Sequence, residues 1–143
     1  MGTETMDLLQ NGRPEYPLTR GPNEFIEDQV ERAPEAPALS VGTDRISYRE
    51  LNSRANRLAH FLRGQGAGSG TLVGVYLDRS FDSVISLLAL LKCGAIYLPL
   101  DPKFPKDRLE FMATDAEISL LLAHSTRQQS LPQATATVIL LDR

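Results

Sequence analysis

The chain has 143 residues, 15 Lys and Arg, 18 Asp and Glu, and a formal net charge of -3. This length is about that of one ordinary domain, and without a run of basic residues there is no footprint for a phosphate backbone, so we expect no nucleic-acid partner. Cys93 is the only cysteine, which excludes an intrachain disulfide and fits a reducing cytosol. The N-terminal stretch lacks the features of a signal peptide, and the longest apolar run, "VISLLALL", is much shorter than the roughly 20 residues of a membrane span. The sequence therefore predicts a cytoplasmic protein without a membrane partner.

The N-terminal region divides into an arm and a first helix. Residues 1–22 contain several Gly and Pro residues and no sustained hydrophobic periodicity, so they are predicted to form an extended, linker-like arm. The stretch "NEFIEDQVERAP" that follows predicts a short amphipathic helix with Asn23 as its N-cap and Pro34 after its end. We expect residues 23–143 to form the folded part.

A hairpin and a long helix are predicted next. "ALSV" and "ISY" flank the turn residues "GTDR", which is typical of a β-hairpin. Ser47 and Glu50 have the spacing of a capping box, in which each side chain binds the other residue's backbone N–H. Apolar residues at helical spacing then continue to Gly64, which we expect to stop the helix in a left-handed conformation.

The rest of the chain alternates between strands and helices. The glycine-rich turn "GQGAGSG" precedes the first of these segments. The predicted segments, in order, are the strand "TLVGVYL", a helix capped by Ser80, "SFDSVISLLALLKCG", the strand "AIYLPL", the helix "KDRLEFMATDA", the strand "EISLLLA", a polar loop from His124 to Thr135 and the strand "TVILL".

This alternation predicts an α/β fold, a partial doubly wound and mainly parallel sheet with helices on both faces, preceded by the arm and the hairpin. The apolar face from Phe81 to Leu91 is expected to cover the sheet. Pro99 cannot donate a ladder hydrogen bond, so it places a strand end or an edge strand near Leu98. Pro105 is expected at the first position of the next helix. The chain stops after "TVILLDR", where a further helix should cover the sheet, so we expect an interrupted fold.

Two stretches resemble a known family. "ISYREL", followed by "NSRANRLAHFLR", and "LKCGAIYLPLDPKFPKDRLEFMATDA" are similar to the two most N-terminal sequence signatures of adenylation domains from nonribosomal peptide synthetases. These domains belong to the superfamily of AMP-forming acyl and aminoacyl activating enzymes. The first signature corresponds to Ile46 to Leu51 and the second to Leu91 to Asp101, and their order and separation also agree. The resemblance implies that residues 23–143 are the incomplete N-terminal portion of the large subdomain of such a domain.

The likeness extends beyond the two signatures. "LLQNGRPEYPLTRGPNEFIEDQVERAPEAPAL" is similar to the segment that joins an upstream condensation domain to an adenylation domain, so the resemblance covers the chain from about Leu8 to His124. Cys93 and Ile96 stand where the family usually has alanine, and both are tolerable packing substitutions. The resemblance implies a parent enzyme that uses ATP and magnesium to form an aminoacyl adenylate and loads it on a carrier-protein thiol.

The resemblance also implies which parts lie elsewhere. The family's phosphate loop, adenine-binding and ribose-binding residues, amino-acid pocket and catalytic lysine follow the segment that this chain matches. "GQGAGSG" is no dinucleotide fingerprint, since Ser69 stands at the third glycine position and the segment precedes a strand. We therefore assign no catalytic, cofactor-binding, substrate-binding or metal-binding residue to this chain, and we expect it to be inactive in isolation. The amino acid that the parent would activate cannot be inferred from it.

Reactive side chains in the chain have simpler interpretations. Cys93 lies on an apolar helix, where a buried and inert thiol is expected. His60 and His124 lack a metal-binding spacing. Asp78 and Asp101 each follow a predicted strand, at the end where open α/β sheets bind ligands, but we expect both to cap the next helix or turn.

Three functional hypotheses remain at this point. The chain is the N-terminal piece of an amino-acid-activating adenylation domain, or a separate scaffold or interaction piece that complements a second polypeptide carrying the rest, or an independent small α/β ligand-binding module. The partners expected under the first two are the remainder of an adenylation domain in cis or in trans, an upstream condensation domain and a carrier protein. Tyr76 and Tyr97 are expected to be half-buried strand residues.

Overall fold

A computed structural model describes residues 21–142 of the chain. Nearly all of the predicted arm, residues 1–22, lies outside this range. The first helix, α1, spans Pro22–Arg32 with Gly21 as its N-cap, so the prediction of Asn23 as N-cap is wrong. The helix begins earlier because of Pro22: a proline has no backbone N–H, and at the first helical position an N–H would have no acceptor within the helix. No helix among the described residues is long and apolar enough to cross a membrane.

The predicted hairpin is confirmed. Strands β1 (Pro37–Val41) and β2 (Asp44–Ser47) pair antiparallel. Gly42 has a φ of 63° in the two-residue turn between them, a conformation that glycine adopts without a steric penalty. The hairpin packs with α1 against the helices that follow.

Helix α2 (Tyr48–Gly64) begins and ends differently from the prediction in two details. Ser47 accepts a hydrogen bond from the Glu50 backbone N–H at 3.1 Å, as predicted, but the Glu50 carboxylate pairs with Arg54 instead of completing the capping box. The left-handed glycine is Gly66, with a φ of 98°, and Gly64 is the last helical residue. Backbone bonds from Gly66 to Arg63 and from the next residue to Leu62 close the helix there, which is the hydrogen-bond pattern of a Schellman motif.

A four-stranded parallel sheet forms the rest of the fold, as predicted. Its strands have the spatial order β4-β3-β5-β6 and are joined by two helices and a 3-10 turn. The bounds of these elements, in chain order, are β3 Leu72–Tyr76, α3 Phe81–Cys93, β4 Ile96–Pro99, α4 Lys106–Ala116, β5 Leu120–Ala123, the 3-10 helix Ser125–Ser130 and β6 Thr137–Leu140. Pro99 ends an edge strand, as its missing donor predicts.

Helices cover both faces of the sheet. One apolar cluster joins α2 and α3 to one face of the strands, and another joins α4 to the opposite face. Gly74, in the central strand β3, lies under the α4 layer, where an added Cβ would come within 3.0 Å of Ile118 and Leu100 side-chain carbons. A glycine there lets the α4 layer approach the sheet closely.

Helix α3 is buried on two sides. Leu90 contacts the sheet, whereas Leu88 belongs to a separate cluster with α1, the hairpin and α2. The expectation that the apolar face from Phe81 to Leu91 covers the sheet is therefore wrong at Leu88, although this residue is only 1% exposed. The amphipathic pattern could not separate the two sides, because apolar residues surround most of this helix.

Helix α4 begins one residue later than predicted. Pro105 is its N-cap in an extended conformation, and Lys106 is the first helical residue. The carbonyl of Pro105 accepts the hydrogen bond of the Leu109 N–H at 3.1 Å. A backbone N–H at the N-cap position would have no acceptor in the helical ladder, so the lack of a donor in proline costs nothing there.

Candidate functional site

The carboxyl ends of the parallel strands meet at one edge of the sheet, where folds of this type bind ligands. Acidic and basic residues from four segments converge there, and we call them the carboxyl-edge cluster. Asp78 follows β3, Asp82 lies in the first turn of α3, His124 and Arg127 follow β5, and Asp142 follows β6.

Asp78 and Arg127 form a two-pronged ion pair. The Arg127 Nε donates to one carboxylate oxygen at 2.7 Å and its second guanidinium nitrogen donates to the other at 2.8 Å. The hydrogen bonds from Arg127 lower the pKa of Asp78 from its ordinary value, since they favour the ionised carboxylate. The prediction that Asp78 caps the next helix or turn is wrong: its carboxylate pairs with Arg127, and Ser80 is the cap of α3, with a reciprocal bond to Ser83.

His124 and Asp142 anchor the segment that follows β5. The Nε2 of His124 lies 2.7 Å from a carboxylate oxygen of Asp82, which joins β5 to the start of α3. Asp142 accepts hydrogen bonds from the backbone N–H and the hydroxyl of Ser125, and these bonds lower the pKa of Asp142. Together with the Asp78 and Arg127 pair, these bonds connect the 3-10 helix to the residues that follow β3 and β6.

Tyr76, the last residue of β3, makes a further contact with the 3-10 helix. The residue is 2% exposed, so the prediction of a half-buried residue is wrong for Tyr76. Its hydroxyl lies 3.1 Å from the hydroxyl of Ser130, at the far end of the 3-10 helix. Tyr97, in contrast, is half-buried as predicted, and burial raises its pKa.

The cluster is built to hold segments together. Each of its three carboxylates accepts from a neighbouring side chain, and no group of three or more His, Cys, Asp or Glu that could hold a metal ion occurs within residues 21–142. Carboxylates that are held in pairs in this way do not fit a magnesium site, because a hard cation needs several oxygen ligands that are free to turn toward it. We therefore derive no metal-dependent or ATP-dependent step from the cluster.

The other side chains considered in the sequence also have structural contacts. Cys93 is half-buried rather than buried, its Sγ lies 3.4 Å from the carbonyl of Ala59, and burial raises the pKa of its thiol. Asp101 accepts a hydrogen bond from the Lys103 N–H at 2.9 Å and so caps a turn, as predicted. His60 is exposed on α2, outside the carboxyl-edge cluster.

Sequence reasoning missed the partners Asp82, Arg127 and Asp142. One signal was available, because all three lie within a few residues of the carboxyl end of a parallel strand or the start of the helix after it. Parallel pairing brings such positions to one edge, so the convergence could have been inferred once the sheet was predicted.

Comparison with known proteins decides the family. Residues 26–143 match the model of the family described as AMP-binding enzyme. The chain belongs to the AMP-binding enzyme family. The match includes every described strand and helices α2, α3 and α4, and it agrees with the resemblance carried by the two sequence signatures.

The curated relatives are large synthetases. The chain is 38% identical over 135 residues to bacitracin synthase 1 of Bacillus licheniformis, a match that covers 94% of this chain and 2% of the synthase. It is 40% identical over 120 residues to surfactin synthase subunit 3 of Bacillus subtilis, covering 82% of this chain and 9% of that protein. The chain thus spans only a small part of these relatives.

Solved structures place the match within the adenylation domain. The nonribosomal peptide synthetase FmoA3, in a form bound to alpha-methyl-L-serine-AMP, aligns with a TM-score of 0.77 and 30% identity over 84% of this chain and 14% of that one. The N-terminal subdomain of Klebsiella oxytoca NpsA aligns with a TM-score of 0.74 and 26% identity over 82% of this chain and 30% of that one. The chain is therefore an N-terminal part of an adenylation domain.

Proposed function

We propose that this chain is the first part of a domain that activates an amino acid with ATP and passes the aminoacyl group to a carrier-protein thiol. The observation that supports this most is the alignment of its sheet and helices with the N-terminal subdomain of NpsA, a relative also solved in complex with 3-hydroxyanthranilyl-AMSN. Another relative was solved as an artificially fused adenylation and PCP di-domain, which supports a carrier protein as the partner of the whole domain.

In this proposal the chain supplies a scaffold and the remainder of the domain supplies the chemistry. ATP and magnesium are the expected cofactors of the whole domain, and the three carboxylates of the carboxyl-edge cluster already pair with neighbouring side chains. The separate ligand-binding module is not favoured, because the chain matches a small fraction of much longer proteins. The rest of the domain joins it either in the same polypeptide or as a second one.

An exchange assay tests the proposal. A chimera carries this chain in place of the matching segment of an adenylation domain from bacitracin synthase 1, and the unmodified domain is the control. We expect the chimera to exchange pyrophosphate into ATP in the presence of the amino acid that the unmodified domain activates. The isolated chain should show no exchange with any amino acid.

Two results would contradict the proposal. The first is robust, heat-labile exchange by the isolated chain with one amino acid. The second is a chimera that folds with the same circular dichroism as the unmodified domain but shows no exchange. Mixing the chain with the rest of the domain, made as a separate polypeptide, then shows whether a covalent connection is required.

A further inference from the structure

The crossover from β5 to β6 differs from the other two crossovers of the parallel sheet. Those two each contain an α-helix with a buried apolar face, α3 and α4. The crossover from β5 to β6 contains the 3-10 helix Ser125–Ser130 instead, and none of the residues of this helix is buried. The placement of the 3-10 helix therefore depends on polar anchors at the carboxyl edge of the sheet.

His124 is the anchor at the start of this crossover. Its Nε2 lies 2.7 Å from a carboxylate oxygen of Asp82, and its side chain is 23% exposed. Its backbone carbonyl accepts the hydrogen bond of the Arg127 N–H at 3.1 Å, which closes the first turn of the 3-10 helix. The residue that contacts α3 through its imidazole thus also begins the 3-10 helix through its carbonyl.

Several charged groups lie within electrostatic reach of this imidazole. They are Asp82 on α3, Asp78 after β3, Asp142 after β6 and Arg127 on the 3-10 helix, and Lys103, after β4, acts in turn on Asp78. Hydrogen bonds from Arg127 chiefly lower the pKa of Asp78, and the charge of His124 lowers it further. The Ser125 hydroxyl chiefly lowers the pKa of Asp142, and the charge of His124 adds to this effect as well. Because Arg127 is already paired, the surroundings of His124 are acidic.

Within the carboxyl-edge cluster, only a histidine changes its charge near neutral pH. Histidine is the side-chain type whose ordinary pKa, about 6.5, lies between pH 6 and pH 8. Asp78 and Asp142 stay ionised over this interval, because their pKa values are lowered from the ordinary aspartate value of about 4. A neutral imidazole offers Asp82 a hydrogen bond alone, whereas a protonated imidazole adds the attraction of opposite charges.

We propose that His124 is a pH-dependent anchor, which holds the 3-10 helix more tightly to α3 as pH falls from 8 to 6. The added attraction is present while the imidazole is protonated and is lost as pH rises, which is the direction expected for a histidine that faces carboxylates. The anchor consists of described residues of this chain and needs no other part of the domain. The order of the carboxyl edge therefore depends on pH near neutrality, whichever function the whole domain has.

Amide hydrogen exchange tests this anchor. Exchange rates of the full chain are measured by NMR at low concentration at pH 8 and at pH 6, and each rate is divided by that of an unstructured peptide at the same pH. The Arg127 amide reports opening of the 3-10 helix, and the Leu122 amide, in β5 between two strands, reports opening of the sheet. We expect protection at Arg127 to be about twofold or more higher at pH 6, with much less change at Leu122.

Two histidine variants form a matched pair. His124→Gln keeps an N–H donor for Asp82 without a group that titrates, so it should abolish the pH dependence at Arg127. His60→Gln replaces the other histidine of the chain, on the exposed side of α2, and should leave that dependence unchanged. Asp82→Asn removes the carboxylate and should also abolish it, which tests the anchor if His124→Gln does not fold.

Three results would overturn the inference and leave the proposed function standing. The first is the same pH dependence at Arg127 in the parent chain and in His124→Gln or Asp82→Asn, with unchanged circular dichroism. The second is loss of the pH dependence in His60→Gln. The third is an equal change of protection at Arg127 and Leu122, which would identify an effect of pH on the whole fold.

Discussion

At the scale of single residues, the helix ends show the balance between backbone geometry and residue type. Helices α2, α3 and α4 all close with a residue of positive φ, which is Gly66 after α2, Gly94 after α3 and Glu117 after α4. Glycine adopts this conformation without strain, whereas any side chain with a Cβ crowds the backbone. Glu117 is therefore the strained member of the three.

Replacing Glu117 with glycine should stabilise the protein. The left-handed conformation costs a residue with a side chain about 1 to 2 kcal/mol, and the greater freedom of glycine in the unfolded chain offsets part of the gain. We expect Glu117→Gly to raise the free energy of unfolding by about 0.5 to 1 kcal/mol in urea melts. The reverse exchange, Gly94→Glu, should lower it by a similar amount or more. A loss of stability in Glu117→Gly would show that the side chain makes a contact worth more than the strain.

The Asp78 and Arg127 pair predicts a pH dependence. The pKa of Asp78 is lowered in the folded protein, so its contribution to stability is present above the ordinary aspartate pKa of about 4 and is lost as pH falls through the lower folded value. Asp78→Asn should cost less than about 1 kcal/mol at neutral pH, because the pair is largely exposed.

Urea melts from pH 7 to pH 2 measure this effect. The difference between the parent chain and Asp78→Asn should be largest at neutral pH and should shrink at the acid end. Arg127→Gln serves as the control, and the double variant should lose little more than either single one. A difference that stays constant down to pH 2 would mean that the ion pair contributes nothing.

At the scale of elements, helix α3 shows how far a periodic pattern can be interpreted. Its existence, its Ser80 cap and its end at Gly94 agree with the sequence, since caps and stops are local signals. The packing partners of Leu88 do not agree with the sequence pattern, because a helix that is apolar on most sides has no preferred face. Burial could be predicted from the composition of the helix, but the packing partner depends on the hairpin and α1.

Truncation of Leu88 measures how much α3 contributes to the fold. The side chain is 1% exposed and lies between α3, α2 and the hairpin, so Leu88→Ala should lower the free energy of unfolding by about 2 to 5 kcal/mol. Arg63→Ala, which removes an exposed hydrogen bond to the carbonyl of Lys92, should cost about 0.5 kcal/mol or less. Equal effects of the two variants in urea melts would show that the Leu88 side chain is not buried in the folded protein.

At the scale of the whole molecule, the sequence predicted the architecture better than the site. Alternating strands and helices fix parallel pairing and helices on both faces, and all of this is confirmed. The pairing of Asp78 with Arg127 was not predicted, because the two residues are 49 positions apart and only the sheet brings them together. The position of β6 at an edge of the sheet likewise depends on strand order, which local patterns do not encode.

The central claim is that this chain is one part of a larger fold, and sedimentation velocity tests it most directly. A four-stranded sheet whose edge strand β6 contains neither proline nor a charged residue, together with exposed apolar side chains such as Phe111 at 69% exposure, should make the chain associate as concentration rises. Adding the polypeptide that carries the rest of the adenylation domain should suppress this association, together with the binding of a hydrophobic dye. A chain that stays monomeric over a wide concentration range, binds no dye and unfolds in one sharp thermal transition would contradict the account.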